Sequence, residues 1–168
     1  MDNYQVAING TGLAARILGI ETPEVQFFYN LDLTEKGINS VFLKEKYIIA
    51  FNEEWIEQAN QLEIQITCFH ETRHAFQWKC ICGEVSSGDI DQKDIIAWKK
   101  EMSEYTQPST GDIPEEAYLK QEIEIDAIAF AHYQIKKLYN VDSIVPKAIK
   151  AEVEYQISKF GGSLVNIG

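Results

Sequence analysis

Two histidines in the middle of the chain have the spacing of a helical metal site. His70 and His74 lie four residues apart, so on an α-helix their side chains project from one face, about one turn apart. Two imidazole nitrogens held in this way can bind one Zn²⁺ ion. Glu71 lies about 100° round the helix from His70, beside such an ion but turned away from direct ligation. This is the position of a general base that takes a proton from a water molecule activated by the metal.

The same pattern could arise by chance on a solvent-facing helix. Against this, the chain contains only three histidines, and two of them fall in the pattern. A chance match to H-E-x-x-H in a chain of this length is an event on the order of one in a hundred. The residues around the motif are apolar on both sides, which indicates a helix that is buried nearly all round. We therefore interpret His70-Glu71-Thr72-Arg73-His74 as the centre of a metal site.

A catalytic zinc ion needs a third protein ligand, and a later apolar segment contains three candidate carboxylates. They are Glu122, Glu124 and Asp126. On a helix Glu122 and Asp126 share a face, while Glu124 points about 200° away from Glu122. This arrangement favours Glu122 as the ligand and Asp126 as an outer acceptor that orients one histidine. Ligation by Glu124 or by Asp126 stays open as an alternative.

The two motifs together resemble a known class of zinc metallopeptidase. His70-Glu71-x-x-His74 followed by Glu122-x-x-x-Asp126 is similar to the gluzincin pattern. More narrowly, it is similar to the ImmA/IrrE family, in which H-E-x-x-H is followed by E-x-E-A-[ND]-x-F-A. The resemblance implies Zn²⁺ as cofactor, Glu122 as the third ligand and Asp126 at the Asn/Asp position. It also implies hydrolysis of peptide bonds in a protein substrate, often the repressor of a mobile element or of a stress regulon.

The second motif departs from the family pattern at two positions. Ile125 and Ile128 stand where the family usually has Ala and Phe. A shifted alignment, which starts at Glu124 and ends at Ala131, matches the Ala, Phe and Ala positions better. That alignment would make Glu124 or Asp126 the ligand. The first motif is specific and the second only moderately so.

The elements around these motifs predict an α+β fold, because strands come early in the chain and helices late. We expect a small N-terminal antiparallel sheet or hairpin, followed by a helical part that carries the histidine motif. With the resemblance, this indicates one zincin-like metallopeptidase domain over residues 1–168. The predicted elements are a helix over 4–18 interrupted by glycines, a strand over 25–29, a hairpin of 41–43 and 47–51, a short helix capped by Asn52, and helices over 62–78, 92–105, 114–139 and 146–162.

Composition and charge narrow the classes of partner. The formal net charge of -11 argues against a nucleic-acid partner, because no basic cluster offsets it. We expect no signal peptide, because residues 1–9 do not contain a charged region followed by an apolar core. No apolar run approaches the roughly 18 residues that would span a bilayer. Three cysteines are an odd number and do not form a disulfide framework. We therefore expect a cytoplasmic protein whose partner is a protein or peptide, not a nucleic acid or a membrane.

Two functions from different classes are compatible with these residues. In the first, zinc polarises a peptide carbonyl and Glu71 deprotonates the attacking water. The substrate strand would then pair with the hairpin edge near residues 47–51. In the second, the chain is a zincin-like binding or regulatory module that holds metal without turnover. Glu71 has a chemical role only in the first.

Three further residues near the motifs carry weaker signals. Arg73 could contact substrate or form a structural ion pair. His132 follows an apolar stretch, and we expect a packed core histidine outside the metal site. Tyr133 lies on a face similar to that of Glu122, where a phenol could stabilise an oxyanion.

Overall fold

The fold consists of a small sheet and a set of helices around one central helix. The computed structural model describes residues 1–29, 34–86, 90–104 and 115–160. Within these ranges there are seven α-helices: α1 (Asn3–Leu18), α2 (Glu53–Gln58), α3 (Gln61–Ile81), α4 (Gln92–Ser103), α5 (Glu115–Leu119), α6 (Glu122–Tyr139) and α7 (Lys150–Phe160). The strands are β1 (Glu24–Phe28), β2 (Ser40–Leu43) and β3 (Ile48–Asn52), and a short 3₁₀-helix covers Lys147–Ile149. The predicted α+β class is confirmed.

The three strands form a mixed sheet with β3 in the middle. β2 pairs with β3 in antiparallel orientation, which confirms the predicted hairpin. β1 pairs with the other side of β3 in parallel orientation, so the sheet is not purely antiparallel as expected. All five residues of β3 are buried, because β3 has a neighbour on both sides. The expectation that a substrate strand pairs near residues 47–51 is therefore wrong. Among the described strands, β2 is the edge strand on that side of the sheet.

Helix α3 carries the histidine motif through the centre of the molecule. Asn60 caps its first turn, since the Asn60 side chain accepts from the N–H of Glu63 and the Glu63 side chain accepts from the N–H of Asn60. From Cys68 to Gln77 every residue except His70 is buried. The helix packs against α1 on one side and α6 on the other. A helix buried in this way holds its side chains in fixed directions.

Helix α1 lies close to α3 because a glycine stands at the crossing. A Cβ atom on Gly10 would lie 3.0 Å from Sγ and 3.1 Å from Cβ of Cys68. A larger residue would therefore push the two helices apart. Among the described residues, nothing lies within 4 Å of a Cβ atom built on Gly12. Neither glycine interrupts α1, in contrast to the expectation from the sequence.

Helix α6 begins later than the sequence predicts. We expected one helix from residue 114 to Tyr139, but α5 ends at Leu119 and α6 begins at Glu122; residue 114 lies outside the described residues. The carboxylate of Glu101 in α4 accepts hydrogen bonds from the N–H groups of Glu122 and Ile123, at 3.0 and 2.8 Å. A side chain distant in sequence thus caps the start of α6. The expectation of one continuous helix is wrong.

In the part of the chain that the structure covers, none of the helices has both the length and the apolar character that a bilayer span requires.

Candidate metal centre

Three side chains from α3 and α6 converge where the two helices pack together. Nε2 of His70 and Nε2 of His74 lie 3.1 Å apart. The carboxylate oxygens of Glu124 lie 3.3 Å from Nε2 of His70 and 3.2 Å from Nε2 of His74. The side chain of Glu124 is 1% exposed and that of His70 is 20% exposed, so the cluster is reached from the His70 side. Across the described ranges this is the one group of three or more histidines, cysteines and acidic residues that could hold a metal ion.

The separations within the cluster suit a single ion with tetrahedral coordination. Ligand atoms about 2.0–2.1 Å from one zinc ion lie about 3.3 Å from one another. The two Nε2 atoms lie 3.1 Å apart, and each has its own carboxylate oxygen of Glu124 nearby, Oε2 at 3.3 Å for His70 and Oε1 at 3.2 Å for His74. One ligand atom from each residue lies within 4.8 Å of the other two. Two imidazoles and one carboxylate form a ligand set of catalytic metal sites, and three protein ligands leave one position open. The residues present therefore fit a bound metal ion.

The electrostatic environment of the cluster favours positive charge. Burial by itself would lower the pKa of His74, but the charges of Glu124 and Glu71, with hydrogen bonds to Glu124 and Gln77, raise that pKa to about 9. Burial opposes ionisation of Glu124 as well. Even so, the charges and hydrogen bonds of the two histidines hold the pKa of Glu124 well below its ordinary value. A buried carboxylate kept ionised in this way is suited to bind a cation.

The acidic residue beside the two histidines is Glu124 and not Glu122. Glu122 is the first residue of α6, and its side chain is exposed. The structure therefore corrects the expectation that Glu122 faces the histidines. Two residues separated by one position point about 200° apart on a helix, so only one of the pair can face α3. Ligation by Glu124 is the alternative that the sequence also allows, and the carboxylate of Glu124 is the one that reaches both rings.

A buried hydrogen-bond chain fixes the orientation of His74. Nδ1 of His74 lies 2.8 Å from Oε1 of Gln77. Nε2 of Gln77 donates to Oδ2 of Asp126 at 2.7 Å and to the carbonyl oxygen of Ile123 at 3.0 Å. Because the amide nitrogen already has two acceptors, the amide oxygen must face His74. A neutral His74 then carries its proton on Nδ1 and directs the lone pair of Nε2 towards the cluster, as metal ligation requires.

Asp126 is the acceptor at the centre of this chain. Arg73 donates to both of its oxygens, from Nε at 2.8 Å and from Nη2 at 3.0 Å. Gln156 of α7 donates to Oδ1 at 2.9 Å. Asp126 was expected to orient a histidine directly. It contacts Gln77 instead, and Gln77 in turn contacts His74. Arg73 lies in a structural ion pair, which was one of its two expected roles.

Glu71 lies beside the cluster and in the walls of two cavities. Its side chain is buried, and Oγ of Ser40 in β2 donates to Oε1 of Glu71 at 2.6 Å. The larger cavity, of about 520 Å³, also has His74 in its wall. The smaller cavity, of about 250 Å³, has His70. Ser40 and Glu71 line both, so the two cavities flank the cluster on either side of Glu71.

The two cavities differ in chemistry. The larger one lies between β2 and the helices α4 and α6, and much of its wall is apolar: Ile38, Val41, Phe42, Leu43, Met102 and Ile123. The smaller one is lined by the start of β2, by α3 and by α6. Its wall combines polar side chains with apolar ones; the polar residues are Asn39 just before β2, Thr67 of α3 and His132 of α6. An apolar side chain suits the first cavity and polar groups suit the second.

His132 lies in the wall of the smaller cavity instead of the core. The residue is only partly buried, and its Nδ1 contacts Oγ of Ser143 in a short hydrogen bond. Burial, together with the charge on His70, lowers the pKa of His132 below its ordinary value. Tyr133, expected near the oxyanion, packs against Phe160 and lines neither cavity.

Two residues of the site were missed by the sequence analysis. Gln77 is three residues after His74, a spacing that places both on one face of α3, so this signal was present. Ser40 is brought to Glu71 by the packing of β2 on α3, and no local pattern indicates it. Long-range contacts of this kind become visible only in the folded chain.

Comparisons with known proteins identify no relative: no family model, no curated protein and no solved structure matches the chain. The resemblance to gluzincins and to the ImmA/IrrE family therefore depends on the two motifs alone.

Proposed function

We propose that the chain is a zinc metalloendopeptidase of the gluzincin type, similar to the ImmA/IrrE family. Its metal ligands are His70, His74 and Glu124, and its general base is Glu71. The observation that carries this proposal is the position of Glu71, which lines one cavity together with His74 and the other together with His70. A zinc ion held by these residues would lower the pKa of a bound water molecule towards about 7 and would polarise a peptide carbonyl group.

The carboxylate of Glu71 has the contacts that a general base needs. Oε1 accepts the hydrogen bond from Ser40, which holds the carboxylate in one orientation. Oε2 then accepts the proton of the attacking water and delivers it to the leaving amine. A module that only binds metal has no use for a buried carboxylate at this place. The position of Glu71 therefore favours hydrolysis over metal binding without turnover.

The two cavities support an extended peptide as substrate. A chain that passes over Ser40 and Glu71 enters the larger cavity on one side and the smaller cavity on the other. The free edge of β2 offers backbone groups with which an extended peptide can pair. Because the site continues in both directions, the cleaved bond lies within a chain instead of at its end. By the resemblance of the motifs, the substrate is a regulator of a mobile element or of a stress response.

One pair of proteins tests this function. The wild-type chain and Glu71→Gln are purified, and their zinc, iron and manganese contents are measured. Each is then incubated with a tryptic digest of a bacterial proteome, and new peptide ends are identified by mass spectrometry. We expect one zinc per chain in both and new internal cleavages with the wild type alone, because the amide cannot accept the proton.

Two other outcomes would contradict the proposal. Zinc in both proteins with no cleavage by either would favour the metal-binding regulatory module. Equal cleavage by both would leave the mechanism without its base.

A further inference from the structure

The smaller cavity contains a histidine that the proposed reaction does not use. His132 lines this cavity together with His70 and Glu71, so it faces the same space as a metal ligand and the base. It reaches this place because α3 and α6 run antiparallel: His74 contacts Glu124, and Phe69 contacts Phe130 further along. His132 thus lies about two turns beyond Glu124 along α6. It is not one of the clustered metal ligands.

The ring of His132 is oriented and has one nitrogen to spare. Nδ1 contacts Oγ of Ser143, in the segment after α6. Nε2 makes no hydrogen bond with any residue in the described ranges. When the Ser143 hydroxyl donates to Nδ1, a neutral ring carries its proton on Nε2. A packed core histidine would instead have both nitrogens satisfied or shielded.

The walls of the smaller cavity determine which group of a bound peptide contacts Nε2 of His132. One wall is the start of β2, with Asn39 and Ser40, and the opposite wall is α6. An extended peptide that pairs with β2 points alternate carbonyl groups away from β2 and towards α6. The α6 wall consists of Ile128, Ala131 and His132, and only His132 has a polar side chain. A peptide carbonyl that loses water against this wall needs a donor, since an unpaired buried carbonyl is costly.

We infer that His132 is a substrate-binding residue, whose Nε2–H donates a hydrogen bond to a backbone carbonyl oxygen of the peptide in the smaller cavity. This inference rests on the proposed function, because it requires a peptide next to the metal site. The contact positions the peptide and does not take part in proton transfer. It acts on the side of the site opposite to the apolar cavity.

A binding experiment tests this role without depending on hydrolysis. The probes are two series of peptide hydroxamates, all of which bind the metal through the hydroxamate group. In one series the peptide extends from this group to the N-terminal side, and in the other series it extends to the C-terminal side. Their dissociation constants are measured by calorimetry on the zinc-loaded wild type, His132→Leu and His132→Gln. Tyr133→Phe is the matched control. Tyr133 is next to His132 on α6, but its side chain packs against Phe160 and lines neither cavity.

We expect His132→Leu to weaken binding of one series about 3–10-fold, the effect of one lost hydrogen bond, and to leave the other series unchanged. His132→Gln, whose amide can donate, should recover part of the loss. Tyr133→Phe should bind both series like the wild type, and all variants should keep their zinc.

Three results would overturn the inference: equal affinities of His132→Leu and wild type for both series, loss of zinc from His132→Leu, or no binding of either series to the wild type. The proposed function fails in a different way. In that case the hydroxamates bind as expected, while the wild type cleaves no peptide in the proteome digest.

Discussion

Oε1 of Glu124 lies 3.2 Å from Nε2 of His74, across the interface between α3 and α6. Neither helix contains all three ligands, so the cluster exists only while these two helices are packed together. The contact also decides between two neighbouring carboxylates of α6. The ligand assignment can therefore be tested by single substitutions.

Glu124→Ala should lose zinc, whereas Glu122→Ala should bind zinc like the wild type. Removal of Glu124 leaves two imidazoles, so the affinity should fall by more than the roughly 10–100-fold that loss of an outer partner costs. The side chain of Glu122 is exposed and lies outside the cluster. Zinc dissociation constants against a competing chelator measure both effects. If Glu122→Ala lost zinc and Glu124→Ala did not, Glu122 would be the third ligand, as the sequence favours.

Gln77→Leu should weaken zinc binding roughly 10–100-fold without removing a ligand. Leucine cannot accept the proton of His74 Nδ1, so the ring loses the contact that fixes its tautomer. The control is Gln58→Leu, at the exposed end of α2. The same chelator competition applies, and heteronuclear NMR of the zinc-loaded protein reports the Nδ1 proton. A Gln77→Leu variant with unchanged affinity would show that the hydrogen-bond chain does not act on the metal.

Asp126→Leu and Arg73→Met should each lower the free energy of unfolding by about 3–5 kcal/mol. Both side chains are almost fully buried, and each substitution leaves the charge of the other without its partner. The double variant should be more stable than either single one, because it removes both charges. Chemical denaturation with urea measures all three. Additive losses in the double variant would contradict this reasoning.

Gly10→Ala and Gly12→Ala should change stability in opposite directions. The new methyl group at Gly10 meets Cys68 at 3.0–3.1 Å, and we expect a loss of about 1–3 kcal/mol from overpacking. At Gly12 no atom of the residues that the structure covers lies within 4 Å of the new methyl group, so alanine should stabilise α1 by about 0.5–1 kcal/mol. Thermal unfolding of the two variants makes the comparison. Equal effects would mean that α1 and α3 are not held at this close approach.

The local parts of the fold could be predicted from the sequence, and the parts that depend on distant contacts could not. The helix that carries His70 and His74 follows from its own apolar pattern and ends close to where it was expected. The pairing of β1 with β3 leaves no local trace, because parallel strands are joined through a long connection.

The choice of Glu124 over Glu122 shows the same limit inside the site. Helical spacing established that the two carboxylates point in different directions, which is a local property. Which of them faces α3 depends on the rotation of α6, and that rotation is set by packing against α3 and by the cap from Glu101 of α4. His132 was assigned to the core for the same reason, since its cavity has walls from three separate elements.

The contact of Gln156 with Asp126 links the metal site to the order in which the chain is assembled. Phe160 of the same helix, α7, lies 5.2 Å from the guanidinium of Arg73, so α7 covers the ion pair that supports Gln77 and His74. The histidine helix is synthesised before α6, which supplies Glu124 and Asp126, and before α7, which supplies Gln156 and Phe160. A nascent chain thus has the histidines and the base before it has a finished site. We therefore expect the cluster to reach its final metal affinity only when α7 has docked on Asp126.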